Sequence, residues 1–174
     1  MKKNLINNDA AAYYFHQGTN YYAYDYLGCH ELLAGDKYEY VFRVWAPNAD
    51  SVRLVSDFTS WDEGMQLNRI TDGGIWEIII PSEVRLLGKY YKFKIWNRGK
   101  SFYKADPYAF YSQTNLDTAS IVSNISEFTW NDASWLEYRK KAFQKEEGSK
   151  GEKYYYSAPL NIYEVHLGSW KTKD

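Results

Sequence analysis

The chain has 174 residues, 45% hydrophobic and 19% aromatic, with 21 Lys plus Arg against 22 Asp plus Glu. That length holds one ordinary domain with appendages and excludes a complete (β/α)8 enzyme barrel. The even charge balance disfavours a duplex-nucleic-acid binder that works by neutralising phosphates, and it suits a neutral polyol polymer.

The amino-terminal stretch MKKNLINNDAAAYYF lacks an apolar core of signal-peptide length, and no run approaches a membrane span. Cys29 is the single cysteine, so no intrachain disulfide can form. These features read as a cytoplasmic protein. Asp9 is placed to cap a short helix over residues 10–14. A second short helix is expected over 21–27, with Asn20 capping it and Gly28 ending it.

From Lys37 the period changes to two. Tyr38, Tyr40, Phe42 and Val44 alternate with Glu39, Val41, Arg43 and Trp45, the pattern of a strand with one buried face. Pro47 and Asn48 break it. Val52 and Leu54 then alternate with Arg53 in a second strand, followed by a polar loop over 57–64. Gly73 and Gly74 turn the chain into a third strand, in which Trp76, Ile78 and Ile80 share a face and Pro81 marks the end. Trp45 and Trp76 are core or near-core candidates.

Gly88 opens a fourth strand. There Tyr91, Phe93 and Ile95 point one way, and Tyr90, Lys92, Lys94 and Trp96 point the other. Asn97, Arg98 and Gly99 form a hairpin turn into residues 101–104, and a last strand is expected over 119–122. Short strands joined by turns favour an all-β antiparallel sandwich, and the surplus of tyrosine and tryptophan is partly strand propensity. Asp132 then caps a helix containing Trp135, Leu136, Tyr138 and Phe143. QKEEGSKGEK reads as a mobile linker. Finally Leu160, Ile162, Tyr163, Val165 and Leu167 form an apolar strand suited to burial on both faces, as in a parallel barrel. A single such strand suggests a truncated chain.

Several segments together resemble the glycogen branching enzymes of the α-amylase superfamily. FHQGTNYYAYDYLGCH is similar to their Phe-His-x-Gly-Thr start and Leu-Gly-x-His end. FRVWAPNA is shared with carbohydrate-binding modules of family 48, SDFTSWD resembles a motif written Gly-Asp-Phe-Asn-x-Trp, and KADPYA and DTASIV also fit. IYEVHLGSW resembles the first barrel strand of branching enzymes. Departures are Ser56 for the usual Gly, Thr59 and Ser60 where Asn is common, and Cys29 where a small residue is usual. The resemblance implies an immunoglobulin-like sandwich with short N-terminal helices and a C-terminal helix plus linker. Its expected boundaries are an N-terminal segment over 1–35, the sandwich over 36–125, helix and linker over 126–158, and the start of a truncated catalytic barrel over 159–174.

An α-glucan presents apolar CH faces and hydroxyl edges, so a binding surface needs exposed flat rings with polar partners. By resemblance Trp61 corresponds to a stacking tryptophan and Lys92 to a lysine that reaches sugar hydroxyls; the alternation independently places Lys92 off the core face. Tyr103 or Phe102 stands near a second stacking position. Trp96 shares the face of Lys92 and Lys94 and either extends a sugar platform or, the plainer reading, is buried. Trp61 is alternatively a loop anchor on the sandwich edge, and Lys92 a solvated strand lysine.

His16, His30 and His166 match no metal-ligand spacing and read as structural. Asp25, Asp57, Asp62 and Asp106 lie in turns and strand ends where Asp is ordinary. No phosphate-binding glycine loop, nucleophile elbow or Cys/His pair is present. The resemblance to branching enzymes implies the non-catalytic amino-terminal region of a protein that forms α-1,6 branches in glycogen by transglycosylation. This fragment supplies no catalytic residue and uses no cofactor, and its partners are α-glucan and the missing catalytic barrel. The alternatives are a stand-alone glycogen-binding module, the corresponding domain of a debranching or trehalose-releasing hydrolase, and a sandwich without ligand.

Overall fold

A computed structural model describes residues 9–34, 37–114, 117–144 and 161–170. Nine strands are present among the described residues: β1 Gly28–Ala34, β2 Lys37–Trp45, β3 Ser51–Ser56, β4 Met65–Gln66, β5 Asn68–Arg69, β6 Ile75–Ser82, β7 Tyr90–Asn97, β8 Lys100–Lys104 and β9 Ser120–Ile121. Helix α1 is Asp9–His16, α2 is Ala133–Gln144 and α3 is Leu167–Trp170. The chain divides into two compact units, Met1–Glu127 and Phe128–Asp174.

The first unit is an antiparallel β-sandwich. One sheet runs β1-β2-β6-β5, and the other runs β4-β3-β7-β8, with β9 also pairing β7. The alternation in β2, β3 and β7 sends Tyr40, Phe42, Val44, Val52, Leu54, Tyr91 and Phe93 into one core between the sheets, joined by Trp76 and Ile80 of β6. Phe42 meets Tyr91 edge to face at 5.1 Å, a geometry worth about 0.5–1.5 kcal/mol beyond the area it buries. Pro81 lies inside β6, opposite Glu39, and does not end the strand. The short β5 pairs β6 only at Glu77 and Trp76, so at Pro81 the missing N–H costs no ladder bond on that side.

β1 has no counterpart in the sequence reading. His30, Glu31 and Leu32 show little strand alternation, yet residues 28–34 pair with β2 throughout. The expected second helix shrinks to a 3-10 turn, Ala23–Asp25, entered by a bond from the Tyr22 N–H to Asn20 Oδ1. α1 and this turn cover the outer face of β2 and β6: Ala12, Tyr26, Leu27 and Ile75 form a second apolar cluster. The expectation of one buried face for β2 is therefore corrected, because Val41 and Arg43 on the other face are buried as well. Arg43 is 1% exposed. Its Nε donates to Glu77 Oε2 at 2.6 Å, its Nη1 donates to the Tyr26 carbonyl, and its guanidinium lies 4.4 Å from the Tyr26 ring centre. Trp45 follows on the same face at its margin. It is 50% exposed, touching Phe15 edge-on and donating to the Gly73 carbonyl, and it is not a core residue. Trp76 does sit in the core, its Nε1 bonded to the Ala46 carbonyl.

The second unit holds α2, whose Leu136 N–H donates to the Asp132 carbonyl and whose Trp135 and Tyr138 rings stack. The expected linker falls largely outside the described residues. Residues 161–166 form no strand, which corrects the sequence expectation of a doubly buried one; Leu160 lies outside the described residues. Ile162 is 83% exposed. A strand's N–H and C=O groups need ladder partners, and no strand among the described residues pairs with this segment. Local contacts take over: His166 and Ser169 bond across α3, and Tyr163 meets Trp170 edge to face.

Candidate functional site

The outer face of β3, β7 and β8 is assembled by register. Lys94 stands opposite Arg53 on one side and Tyr103 on the other. The hairpin that sets this register turns at Arg98 and Gly99, with φ of 51° and 74°, the positive values at both central positions that a tight two-residue hairpin loop requires. Side chains at even positions of β7 point outward, so Lys92, Lys94 and Trp96 share this face with Tyr103. Phe102 pairs with Ile95 and falls on the opposite face, at the sheet margin.

The loop 57–64 folds over this surface. The Asp57 carboxylate organises it: Oδ1 accepts from Trp61 Nε1 at 3.1 Å and Oδ2 accepts from the Tyr90 N–H at 2.9 Å. Ser56 Oγ accepts from the N–H groups of Phe58 and Thr59, and Ser60 Oγ accepts from those of Asp62 and Glu63. Two of the three positions that depart from the family motif, Ser56 and Ser60, thus supply hydroxyls to the loop's own turns, and the third, Thr59, ties its hydroxyl to the Leu54 carbonyl of β3. Lys94 Nζ donates to the Asp62 carbonyl at 2.8 Å and Arg53 Nη1 to the Glu63 carbonyl at 2.9 Å. Tyr103 OH donates to the Trp61 carbonyl at 3.4 Å.

The result is an aromatic surface with polar groups woven through it. Trp61 is 38% exposed and Tyr103 47%. Trp96 is half-buried, with the Lys94 ammonium 5.2 Å from its ring centre and 5.3 Å from that of Tyr103. Lys92 is also half-buried and donates to Thr118 Oγ1 at 2.9 Å. Of the five residues singled out by sequence, four lie on this face and Phe102 does not. Sequence reasoning gave no role to Lys94, Asp57 or Arg53. Alternation had already placed Lys94 beside Lys92, but its bond to the loop depends on a turn that pattern does not encode.

The other candidates are committed elsewhere. Asp106 is enclosed behind β7, accepting from Tyr91 OH at 2.7 Å and from the Tyr108 N–H, while its own N–H donates to Ser120 Oγ. Burial raises its carboxyl from 3.8 to about 6, with those two donors acting against the rise. Asp25 lies in the 3-10 turn and Asp57 and Asp62 in the loop, so the four do not form an acid/base pair at one centre. His16 bonds Thr71 Oγ1, His30 the Leu27 carbonyl and His166 the Ser169 hydroxyl. Among the described residues no group of three His, Cys, Asp or Glu is placed to hold a metal. The buried Cys29 thiol is pushed well up by its burial, which makes it a poor nucleophile. No described helix is long and apolar enough to cross a membrane.

Residues 26–109 match the family carbohydrate-binding module 48 (isoamylase N-terminal domain). Over 166 residues the chain is 40% identical to a 1,4-alpha-glucan branching enzyme of Francisella tularensis subsp. novicida (strain U112), covering 93% of this chain and 24% of that protein. It is 41% identical over 175 residues to a 1,4-alpha-glucan branching enzyme of Clostridium perfringens (strain 13 / Type A), covering 99% of this chain and 24% of that protein. The chain therefore spans about a quarter of the length of the curated relatives it matches. Among solved structures, a pullulanase from Bacillus acidopullulyticus aligns over 64% of this chain and 13% of its own, at 23% identity and a TM-score of 0.48.

Proposed function

Taking as premise that residues 26–109 are a carbohydrate-binding module of family 48, we propose that this chain is the amino-terminal, non-catalytic part of a cytoplasmic 1,4-α-glucan branching enzyme, and that it holds α-glucan on the outer face of β3, β7 and β8. The observation that carries the binding role is the grouping of the Trp96 and Tyr103 rings around Lys94 on that face, with the Trp61 backbone held against Tyr103. The rings offer apolar faces to sugar CH groups; Lys92 and the Tyr103 hydroxyl offer partners to sugar hydroxyls. A neutral polymer needs no charge excess, and the chain has none.

In the whole protein the chemistry belongs to residues outside this chain. A carboxylate displaces one α-1,4-linked segment, a second carboxyl protonates the departing oxygen, and a covalent glycosyl-enzyme forms. A sugar 6-hydroxyl then attacks that intermediate, giving its proton back to the second carboxylate, forming an α-1,6 branch and freeing the first carboxylate. The module concentrates polymer near that centre. Affinity electrophoresis in glycogen-containing gels tests the binding role. Retardation of the wild-type chain, lost with Trp61→Ala, is the expected result; equal mobility with and without glycogen contradicts it.

A second role, bracing the catalytic part, is supported by the exposed rings of Tyr13, Tyr14, Tyr21, Tyr22 and Tyr24 on the amino-terminal segment, an aromatic surface suited to a protein interface. Replacing Tyr21 and Tyr22 together with serine is expected to leave glycogen retardation intact and to lower the melting temperature of the full-length enzyme. An unchanged melting temperature removes this role.

A further inference from the structure

The glucan reading leaves one central side chain without a part. Lys94 sits in the middle of the platform, and its contacts are with three separate pieces of it. The ammonium donates to the Asp62 carbonyl of the loop, faces Trp96 two residues along its own strand, and faces Tyr103 on the neighbouring strand. Lys92 on the same face reaches Thr118 instead and ties nothing to the loop. Arg53 holds the loop one residue further on, at the Glu63 carbonyl. The Tyr103 hydroxyl, steered by the ring that Lys94 faces, meets the Trp61 carbonyl.

We propose that Lys94 is the positioning residue of the glucan platform: its ammonium pins the loop that carries Trp61 to the β7–β8 hairpin that carries Tyr103, fixing the spacing of the two rings before sugar arrives. This rests on the glucan-binding reading above. The physical reason is preorganisation. A loop held by one carbonyl bond and a cation shared between two rings loses little further freedom on binding, and the free energy otherwise consumed in ordering it appears as affinity. The role needs a donor at the end of a long stem. Methionine keeps the stem and loses the donor, while arginine keeps the charge, the donors and the affinity for ring faces.

Calorimetric titration of the full chain with maltoheptaose, paired with hydrogen–deuterium exchange of the ligand-free protein, tests this. Lys94→Met is expected to weaken binding by about tenfold, and to speed amide exchange across residues 58–64 while leaving β2 and β6 unchanged. Lys94→Arg is expected to restore both. Lys94→Met binding as tightly as wild type, with Trp61→Ala still abolishing binding, overturns the positioning role and leaves the glucan reading standing. Weaker binding without faster loop exchange also overturns it, since Lys94 would then act as a direct sugar contact. Failure of the wild-type chain to bind maltoheptaose at all overturns both.

Discussion

Two strands carry the same short pattern, a cation, an aliphatic residue and a tryptophan: Arg43-Val44-Trp45 in β2 and Lys94-Ile95-Trp96 in β7. In both, the aliphatic residue faces inward and the cation and tryptophan face out. In β2 the outer face acquires a further layer, α1 and the turn before β1, and Arg43 becomes a buried ion paired with Glu77. In β7 the outer face meets the loop 57–64 and, at Lys92, Thr118, and Lys94 stays half-buried among carbonyl and rings. Alternation identifies the outward side of a strand. Whether another layer lands on that side is decided by segments elsewhere in the chain, and here that decision separates a structural cation from a surface that can meet a ligand.

The largest effect that breaks or sharpens this contrast is on stability. Arg43→Met leaves Glu77 without its buried partner and is expected to cost about 3–5 kcal/mol in urea unfolding. The same change at Lys94 is expected to cost about 0.5 kcal/mol, because a half-buried cation that keeps solvent contact contributes little to folding. Equal losses at the two sites would mean that the platform is as structural as the covered layer.

A smaller effect contrasts two buried carboxyls, Glu31 on β1 and Asp106 in the segment after β8. Glu31 on β1 accepts from Arg85, Tyr40 and Asn124; the Arg85 guanidinium leads in holding it down to about 2, from 4.5. A lowered folded value gives stability that is present above pH 4.5 and lost as pH falls from 4.5 toward 2. Asp106, raised from 3.8 to about 6, behaves in the opposite sense: its contribution is complete below pH 3.8 and lost as pH rises through 6. Glu31→Gln is therefore expected to be less stable than wild type at pH 7 by about 2 kcal/mol, with the gap closing on acidification. Asp106→Asn should gain on wild type as pH rises from 4 to 6. Urea midpoints taken between pH 3 and 7 check both signs.

Much of the sandwich was legible because β2, β3, β6 and β7 carry apolar residues at every second position and Gly73, Gly74 and Gly88 mark their turns. Gly74 also shows a constraint that pattern alone cannot give: at φ 88° it lies against Pro47, where a side chain would collide. β1 was hidden because its pairing comes from β2 and not from its own residues. Trp45 read as a core candidate because hydrophobicity does not reveal which layer covers a face. Segment 161–166 read as a buried strand because its composition is apolar, but a strand needs ladder partners, and among the described residues no strand pairs with it. At the site, the face of Lys92 and Trp96 could be read from parity. The choice between Phe102 and Tyr103 could not, since it turns on one residue of register set by the backbone at Arg98 and Gly99.

The most direct measurement is an amide chemical-shift titration of the isotopically labelled chain with maltoheptaose. The account predicts shifts concentrated in residues 57–64 and along the outer face of β7 and β8, including Lys94 and Tyr103, with the amides of α1 and β1 unmoved. Shifts centred on residues 13–24 instead, or none at saturating sugar, would contradict it.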